Sequence, residues 1–263
     1  MALAFVIALL IIGSVLFHLF SPWYFTPIAS NWTSIDNAVN VTFWVTGAVF
    51  IAINSFMVYA VFRYRNRRAA YEPENARLEK HLTLWTSVGI ALLLAPGLYA
   101  WAQFVSIPDN ASVFEAVGQQ WQWSFRFPGK DGVLGTVDPK YVSDNNPFGM
   151  NPDDPYGRDD VLIDGSEVHI PVGKPLKAVL RSKDVLHDFF VPQFRARMNL
   201  IPGTVTYFWF TPTKVGRFEI LCAQLCGIGH YAMRGTVMVD DQKTFDDWLS
   251  KQPTFAPAAA DAR

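Results

Sequence analysis

Three long apolar runs occupy the first 105 residues, and beyond Ser106 the pattern breaks into short alternating segments. Ala2–Phe20 contains no Asp, Glu, Lys or Arg, and a single histidine, His18. Ala38–Phe62 and Leu82–Val105 are free of charge throughout. Runs of roughly 20 apolar residues are long enough to cross a bilayer as helices. The second run is entered through Ser34, Asp36 and Asn37, which are helix-capping types. The third holds Gly89, Pro96 and Gly97, and a proline inside a helix kinks it. The first run has the length of either a secretory signal or a retained span. It lacks a basic leader and a small-x-small cleavage site before Ser21, so residues 1–20 are read as an extra transmembrane helix. Residues 21–105 then form a helical hairpin, in which Asn40 and Asn54 are expected to hydrogen-bond between helices.

Charge orients these spans. Six Lys or Arg lie between Arg63 and His81, and none occurs from Ser21 to Asn37 or from Leu82 to Phe125. Positive loops stay in the cytoplasm, which puts residues 106–263 on the far side of the membrane.

From Ser106 the apolar positions suggest strands at Val113–Val117, Gln120–Phe127, Val161–Ile163, Glu167–Pro171, Leu176–Arg181, Thr204–Thr211, Gly216–Leu221 and Thr236–Val239. Short strands separated by Gly and Pro indicate an antiparallel β-sandwich or barrel over 106–251. On a strand Trp121 and Trp123 would share one face. Residues 129–160 contain four prolines and seven aspartates and are read as a solvated excursion. Thr244–Lys251 closes the domain as a helix, and 252–263 is read as a disordered tail. The formal net charge of −1 for the 263 residues argues against a nucleic-acid partner.

The candidate chemistry lies in one stretch, Cys222-Ala223-Gln224-Leu225-Cys226-Gly227-Ile228-Gly229-His230-Tyr231-Ala232-Met233. It holds the chain's two cysteines, a histidine and a methionine at intervals of four, four and three. Thiolate, thioether and imidazole together favour copper, and less decisively zinc or iron–sulfur centres. A mononuclear blue-copper site leaves one cysteine over, a structural zinc site has no use for Met233, and a disulfide between Cys222 and Cys226 would close a very small loop. Two coppers sharing both thiolates would use the whole set if a second histidine joined it. His187 is available thirty-five residues before Cys222, whereas His169 sits among strand residues and reads as structural.

With His187 included, the chain resembles subunit II of the haem-copper cytochrome c oxidases. That family has the pattern H…C-x-E-x-C-x-x-x-H-x-x-M, a membrane hairpin and an aromatic run, here Trp121-Gln122-Trp123-Ser124-Phe125; the match covers roughly 37–250. The resemblance implies a cupredoxin-type domain holding the binuclear copper centre CuA. His187 and Met233 would complete one copper, and His230 with the Gln224 backbone carbonyl the other, with Cys222 and Cys226 as bridges. It implies electron uptake at Trp121 from a cytochrome c-type donor and delivery to a haem-bearing catalytic subunit I. It also implies a multi-pass location in a bacterial cytoplasmic membrane, surrounded by lipid, with the C-terminal domain periplasmic. A CuA subunit of a nitric oxide reductase and a membrane-anchored copper-delivery protein are the alternatives.

Three departures stand out. Gln224 replaces the family's Glu, which ligates an interface magnesium; Asn199 replaces an Asp; and Leu82 replaces a Glu near a proton channel, leaving Glu79 and His81 as the nearest titratable groups. The Gln224 side chain is therefore expected to contribute little to an interface magnesium site, which this departure puts in doubt. Arg126 and Lys130 follow the aromatic run, so the donor is expected to be weakly basic or membrane-held.

Overall fold

The computed structural model describes residues 2–21, 26–66, 74–143 and 146–255. It divides into a helical unit and a β-domain.

The helical unit contains α1 (Ala2–Phe20), α2 (Thr33–Tyr64) and most of α3 (Ala76–Val105), and all three helices are long and apolar enough to cross a membrane. Helix α1 coincides with its apolar run, α2 extends beyond its run at both ends, and α3 extends only at its polar N-terminal end. Large apolar side chains such as Trp44, Phe56, Trp85 and Leu92 point outward, as lipid or a membrane partner requires. Pro96 lies inside α3. The Asn54 amide donates to the Phe50 carbonyl of its own helix at 2.8 Å, so the expected interhelical bond is replaced by an intrahelical one. Part of the basic loop, 67–73, and the tail from Ala256 fall outside the described residues.

The β-domain begins earlier than Ser106. Thr26–Thr33 and the end of α3 from Gln103 group with it rather than with the hairpin expected over 21–105. Ala29 donates to the Gln193 carbonyl at 2.8 Å and accepts from the Thr213 amide at 2.9 Å. Trp32 is buried beside Trp209 and donates its indole N–H to the Trp209 carbonyl at 3.0 Å.

Among the described residues, ten strands form the sandwich: β1 (Ser112–Gln119), β2 (Gln122–Phe127), β3 (Val161–Ile163), β4 (Glu167–Pro171), β5 (Leu176–Ser182), β6 (His187–Val191), β7 (Ala196–Leu200), β8 (Thr206–Phe210), β9 (Gly216–Cys222) and β10 (Arg234–Asp240). They make two five-stranded sheets, ordered β3-β2-β1-β5-β8 and β4-β10-β9-β6-β7. The sheets are mixed rather than wholly antiparallel, because β1 pairs parallel with β5 and β10 with β4. Alternation places Leu176, Ala178 and Leu180 of β5 in the core, as it does Val237 and Val239 of β10 in the other sheet. The closing helix α4 (Gln242–Leu249) is capped by the Asp241 side chain, which accepts from Thr244 N at 3.0 Å.

Strands β1 and β2 are buried on both faces, which the 129–160 segment explains. Phe148 and Met150 pack on Val117 from the outer side, so this excursion is a cover for the sheet and not only a solvated loop. Beneath it Arg126 meets Glu115 at 2.7 Å and Asp160 at 2.8 Å, and Arg181 closes on the other Glu115 oxygen. Burial of the Asp160 carboxyl raises its pKa to about 6, against the Gly135 amide and Arg126, which pull it down. Residues 252–255 are also held: Leu162 N donates to Pro253 O at 2.9 Å, so the free tail cannot begin at Gln252.

Candidate metal centre

The β9–β10 connection is a hairpin loop closed at its base, with the Cys222 amide donating to the Met233 carbonyl at 3.2 Å. Cys222 ends β9, His230 opens a short 3-10 turn, and Met233 caps that turn before β10. His187 opens β6, whose ladder sets Phe189 against Cys222. Sequence separation is thereby cancelled by strand pairing.

The ligand-type atoms converge. Cys222 Sγ lies 3.7 Å from Cys226 Sγ and 3.9 Å from His187 Nδ1, and the Gln224 carbonyl is 3.2 Å from Cys222 Sγ. Cys226 Sγ lies 3.5 Å from His230 Nδ1 and 3.8 Å from Met233 Sδ. Both cysteines are free, so the disulfide alternative does not describe this loop. His187, Cys222 and Cys226 are buried and form a group able to hold a metal ion. All six candidate positions are thus brought together on one side of the sandwich.

Electrostatics favour a thiolate here. Burial pushes the Cys222 thiol up, but hydrogen bonds from His187 and nearby amides outweigh it and bring the pKa down to about 6. Burial and the neighbouring Cys222 push Cys226 up to about 12. Burial opposes the charged His187 ring, while Cys222 and Asp184 beside it raise its pKa overall. His187 Nε2 stands 2.8 Å from Asp184 Oδ1, which leaves Nδ1 facing the sulfur.

Trp121 does not share a face with Trp123. Trp123 is buried in the core near Phe189, whereas Trp121 lies in the turn before β2 and remains 38 % exposed. Its indole donates to the Cys226 carbonyl at 3.3 Å, and the Gln120 amide donates to the same oxygen at 2.8 Å. The ring lies across the loop glycines. A Cβ on Gly229 would meet Trp121 Cδ2 at 2.3 Å, and Gly227 has a φ of +119° that side chains rarely adopt.

Two expectations about charge change. Arg126 is buried and paired on the far part of β2, so it cannot oppose a cationic partner near Trp121. Asn199 stands opposite Asp188 in the β6–β7 ladder, and a second carboxylate there would repel the first. His169 is structural, bonding Asp240 at 2.5 Å and stacking on Trp248. Gln120 and Asp184 were missed as site residues. The only signal was their proximity to Trp121 and His187.

Fold and site together define a membrane-anchored β-sandwich with a thiolate–imidazole–thioether centre. Residues 112–240 match the family model for the periplasmic domain of cytochrome c oxidase subunit II. An alternative cytochrome c oxidase subunit 2 from Bradyrhizobium diazoefficiens is 56 % identical, with 97 % of this chain and 94 % of that protein aligned. A cytochrome c oxidase subunit 2 from Thermostichus vulcanus is 28 % identical, covering 85 % and 76 %. The solved periplasmic domain of subunit II from Bradyrhizobium japonicum is similar at 26 % identity and a TM-score of 0.41, over 55 % of this chain and 95 % of that one. The chain belongs to the cytochrome c oxidase subunit II family. It is accordingly a membrane-anchored, copper-type subunit of a haem-copper oxidoreductase, with a periplasmic domain and a catalytic subunit I as partner.

Proposed function

We propose that this chain is the electron-input subunit of a respiratory terminal oxidase. It takes electrons from a c-type cytochrome at Trp121 and passes them through a binuclear CuA site to the haem-bearing subunit for oxygen reduction. The observation that supports this most is the convergence of two sulfurs 3.7 Å apart, each with its own imidazole nitrogen within 3.9 Å. The donor set fits soft metal ions, which Cys222 and Cys226 would hold together with His187, Met233, His230 and the Gln224 carbonyl. A pair of such ions, when bound, spreads one electron over two metals and changes little in bond length.

The chain's own residues supply the rest. The β6–β9 ladder fixes the strand ends that carry His187 and Cys222, which would limit rearrangement of the donor set when the charge of a bound metal changes. Asp184 orients His187 from behind. Trp121 offers a partly exposed ring in direct contact with the carbonyl of Cys226. No magnesium is assigned, because the Gln224 amide is a weaker ligand than a carboxylate for that hard ion.

The test is electron uptake by the intact oxidase carrying Trp121→Ala. Retained copper with lost oxidation of the reduced donor supports the reading, and undiminished uptake contradicts it. Co-purification of an oxygen-reducing subunit separates it from a nitric oxide reductase and from copper delivery.

A further inference from the structure

Asp184 occupies a position that binding copper does not by itself require. Its Oδ1 meets His187 Nε2 at 2.8 Å and accepts the Val185 amide at 2.7 Å, while Oδ2 accepts the Gln120 amide at 2.7 Å. The Gln120 side chain and the Trp121 indole both donate to the Cys226 carbonyl. A chain of hydrogen bonds therefore links the exposed indole, the Cys226 carbonyl, Gln120, Asp184 and the His187 imidazole.

We propose that Asp184 is a positioning residue for electron transfer, tying the Trp121 turn and the His187 ring to a single carboxylate. The inference rests on the copper reading above. Its chemical basis is acceptor count. An ionised carboxylate accepts from both Gln120 and His187, whereas an asparagine has one acceptor oxygen and would set an N–H against an N–H on the other side. The carboxylate behind a ligating imidazole also increases its basicity and so favours the oxidised metal. Through Oδ2 the same group keeps the backbone leading into Trp121 seated beside β6. A merely structural aspartate in this turn would affect neither the potential nor the donor rate selectively.

The experiment uses the intact oxidase with Asp184→Asn and Asp184→Glu in this subunit. Copper content, the copper resonance spectrum, the midpoint potential, and kcat and KM for a reduced c-type donor are measured. Asp184→Asn is expected to keep its copper and lose roughly 10- to 100-fold in kcat with KM unchanged, the range found for outer-shell partners. Its potential should rise, by about 59 mV for each tenfold loss of preference for the oxidised form. Asp184→Glu keeps both acceptor oxygens and should recover part of each effect. Unchanged potential and kcat in Asp184→Asn would overturn the proposal. So would a rise in KM alone, which would make Asp184 a docking charge, or loss of copper from both variants. A wild-type protein without a shared-electron copper spectrum would instead overturn the copper reading itself.

Discussion

Replacing Gly229 by alanine probes directly how Trp121 is held. A Cβ at that position would stand 2.3 Å from Trp121 Cδ2 and 2.7 Å from Cγ and Cε3. Carbon atoms in contact rest about 3.5 Å apart, so the ring must recede by about 1.2 Å. That movement carries the indole away from the Cys226 carbonyl, whose bond at 3.3 Å is already long. Overpacking of this kind costs about 1–3 kcal/mol, which a domain stable by roughly 5–15 kcal/mol survives. Function should suffer more, since displacement of a reacting group by about 1 Å can lower a rate about 100-fold. The assay is stopped-flow oxidation of a reduced c-type donor by the intact oxidase, with copper content measured in parallel. Gly165→Ala is the control, because nothing lies within 4 Å of a Cβ there. Wild-type uptake in Gly229→Ala, with Gly165→Ala also normal, would refute a pinned Trp121 as the point of electron input.

Ile228 lies between the two glycines that contact Trp121 and is 90 % exposed, so the donor surface there is apolar. Electron uptake should accordingly depend weakly on salt, and Ile228→Asp should raise KM for the donor; a steep fall in rate with ionic strength would contradict this. Asp160 has its folded pKa raised to about 6 by burial, so its contribution to stability is present below the unfolded value near 4 and lost as pH rises through 6. Asp160→Asn removes that titration, and its melting temperature should therefore gain on the wild type between pH 4.5 and 7, by at most about 3 kcal/mol in stability; parallel profiles would count against the assignment. Asn199→Asp should destabilise the domain at neutral pH, because it sets a carboxylate opposite Asp188, and Asp188→Asn should relieve it. Chemical denaturation of the single and double variants measures the coupling.

The sequence made the apolar helices and the cluster of ligand-type side chains legible, for different reasons. An uninterrupted apolar run such as Ala2–Phe20 carries no proline and no Asp, Glu, Lys or Arg, and its helical bounds came out as read. The cysteine loop was legible because soft ligands at close spacing are rare together. Strand β6 was missed because it opens on the polar pair His187-Asp188, which the site and the Asp188–Arg197 pair use, whereas β7 was legible in the polar–apolar alternation of Arg195–Leu200 and was passed over. The cover over β1 and β2 was also hidden. Its prolines and aspartates read as solvated, while Phe148 and Met150 alone carry the packing. Charge was misread most, because Arg126 lies close to Trp121 in sequence but turns into a buried ion-pair cluster. Pairing of that sort depends on Asp160, thirty-four residues away.

The most direct measurement is electron paramagnetic resonance of the oxidised full-length subunit in its complex, combined with copper and protein quantification. Two coppers per chain and one unpaired electron delocalised over both nuclei, with hyperfine structure beyond that of a single copper, are the expected result. Cys226→Ser should abolish this spectrum, and replacement of the weak ligand Met233 should leave copper bound while shifting the potential. One copper per chain with a four-line spectrum would contradict the binuclear centre.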